Sequence, residues 1–263
     1  MIKTRKLLLN VESAQLLSRV IFNGIVLADD MVKESLSRAF VLNGWAVNGE
    51  NDLSLGLALL PATRGTTPIP SSGPRFALTL KAAWPDSQSS DETILTHFTW
   101  DSGTMPLLPG QGREVLKKSV SWDAPIAWSW TKATPVAALS SDDKDAIVAL
   151  LSRVHSALQE RDIASLQKLQ SLQISEQALA LGESPAEFLG SYASFLQQRS
   201  AAKDWSVLPL NSKSLNFLPM ASGLTHRVRD ASGQPPIVCT GSEGGFAIEP
   251  FVSKINGQWV IVR

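Results

Sequence analysis

Ile147, Leu150, Leu151, Val154 and Leu158 recur at the spacing of a helix with one apolar face, whereas residues 1–135 show no long helical period. That break constrains the fold more than any single motif. The first half holds most of the prolines and six of the eight tryptophans, and reads as short apolar runs punctuated by turn residues, the pattern of an all-β domain. A chain of 263 residues suits two domains of ordinary size. The expected division is therefore an all-β domain at 1–135 and an α+β domain at 136–263.

Within the first half, Asn23-Gly24 supplies the two positive-φ residues of a type I′ turn and predicts a hairpin between 19–22 and 25–27. Leu53, Leu55, Leu57 and Leu59 form a period-2 stripe with Ser54, Gly56 and Ala58 on the other face. Further strands are predicted at 7–11, 76–80, 93–100 and 115–122, with a long Pro/Gly/Thr/Ser-rich loop at 62–74. The runs RVIFNGIVLADD and NGENDLSL resemble the jelly-roll sandwich domains that accompany bacterial glycosidases. That resemblance implies a β-sandwich and, further off, carbohydrate binding.

After Pro135 the signals change. Ser140-Ser141-Asp142-Asp143 offers an N-cap with acids in the first turn, and Asp162 can cap a second, shorter helix carrying Ile163, Leu166 and Leu169. Ser184-Pro185-Ala186-Glu187 reads as a capping box with proline at the first helical position, opening a helix with Phe188, Leu189, Tyr192, Phe195 and Leu196 inward. Short strands are predicted at 205–208, 224–228, 237–240, 246–248, 251–255 and 259–262, the last two joined by Asn256-Gly257. Helices first and an antiparallel sheet afterwards make an α+β domain. The runs DAIVALLSRVHSALQERDIASLQKL and FVSKINGQWVIVR resemble the nuclear transport factor 2-like superfamily. That resemblance implies a cone in which helices pack inside a curved antiparallel sheet. It leaves function open, because the superfamily holds enzymes, ligand binders and protein-binding modules.

Composition narrows the partners. Lysine plus arginine, 24, equals aspartate plus glutamate, 24, so no global field favours nucleic acid or an anionic membrane. The single cysteine, Cys239, cannot form an internal disulfide and reads as a small buried strand residue. The opening MIKTRKLLLNVESAQLLSR has too short an apolar run for a signal peptide, and no segment is long enough to cross a bilayer. The expected location is cytoplasmic, or periplasmic if a leader has been removed.

Candidate chemistry is sparse. The three histidines, His97, His155 and His226, lack the paired spacing of a zinc site, and no phosphate loop, calcium loop or dinucleotide fingerprint appears, so no metal or cofactor is expected. Ser242 lies in a run that fails the nucleophile-elbow pattern at Thr240. The cone resemblance makes His155, Tyr192, His226 and Glu249 the nearest pocket groups, without an interpretable pair of carboxylates and without a catalytic assignment. Trp122, Trp128 and Trp130 cluster in SWDAPIAWSW, the latter two on one face of an expected strand, either as anchors for a sugar or a protein or as core between domains. Arg227 and Arg229 share a strand face, either a solvated edge or a surface for an anionic partner. The expected function is a non-enzymatic protein-binding module of the bacterial immunity type, which sequesters a toxin effector such as those of type VI secretion. Small-ligand chemistry in the cone and carbohydrate binding by the N-terminal domain are the alternatives.

Overall fold

The computed structural model describes residues 4–31, 36–59, 73–84, 92–103, 105–107 and 112–263. Its contacts group the chain into two compact units, Ile2–Ile126 and Ala127–Arg263. The first is built of sheets, and the second mixes four helices with short strands.

The N-terminal unit consists of β1 (Lys6–Ala14), β2 (Leu16–Phe22), β3 (Ile25–Met31), β4 (Leu36–Val41), β5 (Gly49–Leu59), β6 (Arg75–Ala83), β7 (Thr93–Asp101) and β8 (Arg113–Trp122). They form two four-stranded antiparallel sheets of order β4-β1-β6-β7 and β3-β2-β5-β8. Only Gln15, at φ 58°, separates β1 from β2, so one extended ribbon turns a corner and contributes to both sheets. Its neighbours follow suit, since β6 and β5 flank it on one side and β4 and β3 on the other. The period-2 patterns turn Leu7, Leu9 and Val11 of β1, Leu53, Leu55 and Leu57 of β5, and Phe76, Leu78 and Leu80 of β6 into one shared core. Each such side chain is worth roughly 1.5–3 kcal/mol of burial. Asn23 and Gly24 take φ 49° and 76°, the geometry expected of the first hairpin.

Two buried asparagines fix the ends of these strands. Asn43 accepts from the Leu7 N–H at 2.8 Å and donates to the Arg5 carbonyl at 2.7 Å. Asn51 accepts from Asn23 Nδ2 and Val47 N–H, both at 2.7 Å, and donates to the Val47 and Gly49 carbonyls. All four of its hydrogen-bonding positions are thereby filled, which makes its burial affordable. The edge strand β4 carries no clean alternation and was not expected from the sequence, while the loop expected at 62–74 lies almost wholly outside the described residues.

In the C-terminal unit, α1 (Ser141–Gln159) begins at a capping box: Ser140 Oγ accepts from the Asp143 N–H at 3.1 Å, and Asp143 accepts from the Ser140 N–H. Asp162 caps α2 (Ile163–Leu169) by accepting from the Ser165 N–H at 3.0 Å. An additional helix, α3 (Ser171–Leu181), follows and ends at Gly182 in the left-handed region, before α4 (Pro185–Ser200). The box expected at Ser184 does not form: Ser184 makes no side-chain cap. Proline at the first position has already removed one free N–H there.

The strands are β9 (Ser206–Val207), β10 (Asn216–Met220), β11 (Thr225–Arg229), β12 (Ile237–Thr240), β13 (Phe246–Ile248), β14 (Phe251–Ile255) and β15 (Gln258–Ile261). They form antiparallel sheets of order β10-β11-β14-β15 and β13-β12-β9. The buried stripe of α1 meets Val228, Val252, Trp259, Ile261, Ile237 and Cys239 in one core. The residues between the 3-10 turn Ser129–Lys132 and α1 are stitched to the larger sheet. The Thr134 N–H donates to the Lys254 carbonyl at 2.8 Å, and the Val136 N–H to the Gly223 carbonyl at 2.9 Å. Gly223 has φ +85°, and a Cβ there would lie 2.7 Å from the Val136 carbonyl oxygen, so the crossing is possible only beside a glycine.

Candidate functional site

β11 lies inside its sheet, between β10 and β14. Alternation sends His226 and Val228 to the core and leaves Arg227 and Arg229 on the other face. The Val228 N–H donates to the Pro250 carbonyl, which brings Glu249 alongside both arginines. Arg227 Nη2 donates to Glu249 Oε2 at 2.6 Å, and Arg229 Nε donates to Oε1. Burial pushes the Glu249 carboxyl up, but the hydrogen bonds and charges of Arg227 and Arg229 outweigh it and hold the group below the usual carboxylate range. One carboxylate thereby holds both guanidinium groups.

Apolar surface adjoins these groups. The Arg227 guanidinium lies 5.5 Å from the Phe251 ring centroid, a cation–π contact. Leu218 of β10 is the register partner of Arg227 and stays 40% exposed. The expected solvated edge is therefore corrected: Arg227 and Arg229 sit on an interior strand, locked to an acid and flanked by an aliphatic and an aromatic side chain. The match between two arginines and Glu249 was not foreseen, because Glu249 lies in the link between β13 and β14, far along the chain from β11.

The three candidate tryptophans are all buried. Trp122 ends β8, with its indole N–H unpartnered, and belongs to the N-terminal core. Trp128 precedes the 3-10 turn Ser129–Lys132 and Trp130 lies within it, so the expected strand face does not exist. The Arg263 guanidinium sits 5.2 Å from the Trp128 ring centroid. As placed, none of the three offers the open aromatic surface that a sugar or protein anchor needs.

The pocket candidates are engaged in three different ways. His155 Nε2 meets the Leu208 carbonyl at 2.9 Å, beside an outer groove of about 350 Å³ lined by Ser152, Ser156, Val207 and Leu210. Tyr192 donates its hydroxyl to Gln170 Oε1 at 2.6 Å, and burial pushes its pKa up to about 12. His226 lies at 1% exposure, edge-on to Trp259, and burial pulls its pKa below the ordinary 6.5. Each side chain has its own surroundings, and no acid–base pair is assembled from them. Burial likewise pushes the Cys239 thiol up to about 11, which leaves it protonated and unreactive at neutral pH. Among the described residues no group of three or more His, Cys, Asp or Glu side chains gathers in a metal-binding arrangement.

Other groupings gave no sign in the sequence. Phe195, expected to face inward on α4, is 37% exposed, meets Phe246 in a tilted ring contact at 5.3 Å and carries the Arg199 guanidinium at 5.5 Å. Glu176 of α3 pairs with Arg263, and Asp143 gathers Lys254 Nζ and Trp259 Nε1 on one oxygen at 2.8 and 3.0 Å. A carboxylate among the small and apolar residues of α3 was the only local hint, and it named no partner. No protein-family model, curated protein or solved structure matches the chain. No helix among the described residues is long and apolar enough to cross a membrane.

Proposed function

We propose that this is a non-enzymatic protein-binding module that holds one partner through the sheet face of β10, β11 and β14. The observation that carries the reading is the juxtaposition of partly exposed Arg229 and Glu249, braced from beneath by buried Arg227, with exposed Leu218 and half-buried Phe251. Arginine and aromatic side chains beside an apolar contact are the composition of interface hot spots. Guanidinium groups suit an acidic patch on the partner, and the shared carboxylate holds both planes in place before binding. In this reading the N-terminal unit is a jelly-roll-like β-sandwich and the C-terminal unit a nuclear transport factor 2-like cone. Two four-stranded sheets around one core support the first, and α1 laid against the strands of the closing hairpin supports the second. The biological form we favour is an immunity-type protein that sequesters a bacterial toxin effector, covering roughly 800 Å² of it.

The test is isolation from the native cell at native concentration, followed by native mass spectrometry, with Leu218→Asp and Arg229→Glu run in parallel. A one-to-one complex whose partner's toxic activity is suppressed, and which both variants weaken, is the expected result. Recovery of the chain alone, together with substrate turnover or tight small-molecule binding, would remove the proposal.

A further inference from the structure

His226 is an unusual choice for a core position. It is 1% exposed, neither ring nitrogen makes a well-formed hydrogen bond, and its ring stands edge-on to Trp259 at 5.5 Å and 80°. In the neutral form one unpartnered N–H is buried, a modest penalty. In the protonated form two N–H donors and a full charge would be buried. The titratable groups around this corner are Asp143 of α1 and Lys254 of β14, while β10 contributes Pro219 opposite His226 and β15 contributes Trp259. The Val136 carbonyl approaches from the segment that leads into α1.

Asp143 has no capacity to spare for an imidazolium. Its Oδ1 already receives Lys254 and Trp259, and its Oδ2 receives the Ser140 hydroxyl at 2.8 Å. Those bonds hold its carboxyl well below the usual carboxylate range, so it stays ionised through mild acid. A protonated His226 would compete with Lys254 for the same oxygen and repel it. The Val136 carbonyl can take one imidazolium N–H, which leaves the second without an acceptor short of water, and the segment over this corner is held by the hydrogen bonds of Thr134, Val136 and the Ser140–Asp143 cap. We propose that His226 is an acid-sensitive latch, whose protonation opens residues 134–140 before the C-terminal unit as a whole unfolds.

The sign follows from linkage. Burial makes the folded state prefer neutral His226, so closure is complete above the ordinary titration range and is lost as pH falls through the folded-state midpoint. The experiment is amide hydrogen exchange on the full chain between about pH 7 and about pH 5, corrected for the intrinsic pH dependence of exchange. The Thr134 and Val136 amides should gain up to about tenfold in corrected rate per pH unit between the ordinary histidine range and the lowered His226 midpoint, levelling off below it, with the Val252 amide unchanged. His226→Leu should abolish that acceleration. A His97→Asn/His155→Asn double variant, which keeps His226 as the only imidazole, should preserve it, with the midpoint matching the His226 ring signals. A flat profile in the wild type, acceleration that survives His226→Leu, or acceleration lost in the double variant would each overturn the latch. Should His226→Leu fail to fold, the double variant and the ring titration decide alone.

Discussion

Breaking the Glu176–Arg263 pair should be among the most damaging changes available in the C-terminal unit. Glu176 Oε2 accepts from Arg263 Nη1 at 2.8 Å, Oε1 accepts from the Ser129 N–H at 2.6 Å, and the two side chains are only 6% and 12% exposed. Glu176→Ala would leave a guanidinium buried without its counter-ion, a loss of about 3–5 kcal/mol. The same change strands the Ser129 N–H. Arg263→Ala should cost a similar amount, because it orphans the carboxylate and removes the contact with Trp128, itself worth about 0.5–2 kcal/mol. The apolar double variant Glu176→Leu/Arg263→Met should lie within about 2 kcal/mol of wild type, since replacing both charges removes the desolvation penalty along with the attraction. Urea unfolding followed by circular dichroism, fitted with a common slope, gives the four stabilities of the cycle. Single variants that lose less than about 1 kcal/mol, or a double variant as unstable as the two losses added together, would refute the picture of a desolvated, mutually dependent pair.

Three further changes test the backbone and the polar core. Gly223→Ala should lower the thermal midpoint by an amount equivalent to about 1–3 kcal/mol, because φ is +85° and the new Cβ meets the Val136 carbonyl at 2.7 Å. Gly190→Ala should do the opposite and add about 0.5–1 kcal/mol, since the position is inside α4 with nothing within 4 Å of the added Cβ. Asn51→Ala strands the Val47 N–H and one of the two Asn23 Nδ2 protons, the other still donating to the Trp45 carbonyl, and should cost about 2–4 kcal/mol in denaturant unfolding of the N-terminal unit.

What the sequence made legible was local and periodic. The stripe of α1, the leucines of β5 and both Asn-Gly hairpins each repeat or punctuate within a few residues, and each appears where the pattern puts it. Trp128-Ser129-Trp130 mimics strand alternation over three residues, too short a run to distinguish a strand from a 3-10 turn. β4 and β10 are edge strands whose exposed faces place little demand on hydrophobic pattern. α3 buries mostly small residues, Ala178 and Ala180 beside Ile174, and so showed a weak apolar stripe. The candidate site was the least legible part, because Glu249 reaches the arginines, and Glu176 reaches Arg263, only once distant segments are folded together.

The corner at Gln15 has a kinetic consequence. Because β1 and β2 are halves of one ribbon, pairing β1 with β6 in one sheet also carries β2 into place beside β5 in the other. The register joins residues as remote as Lys6 and Ala83, or Gly49 and Trp122, so loop closure must be met before either sheet gains its core. The N-terminal unit should therefore fold in one slow step, on the millisecond-to-second scale of domains dominated by non-local strand pairing, without a stable single-sheet intermediate.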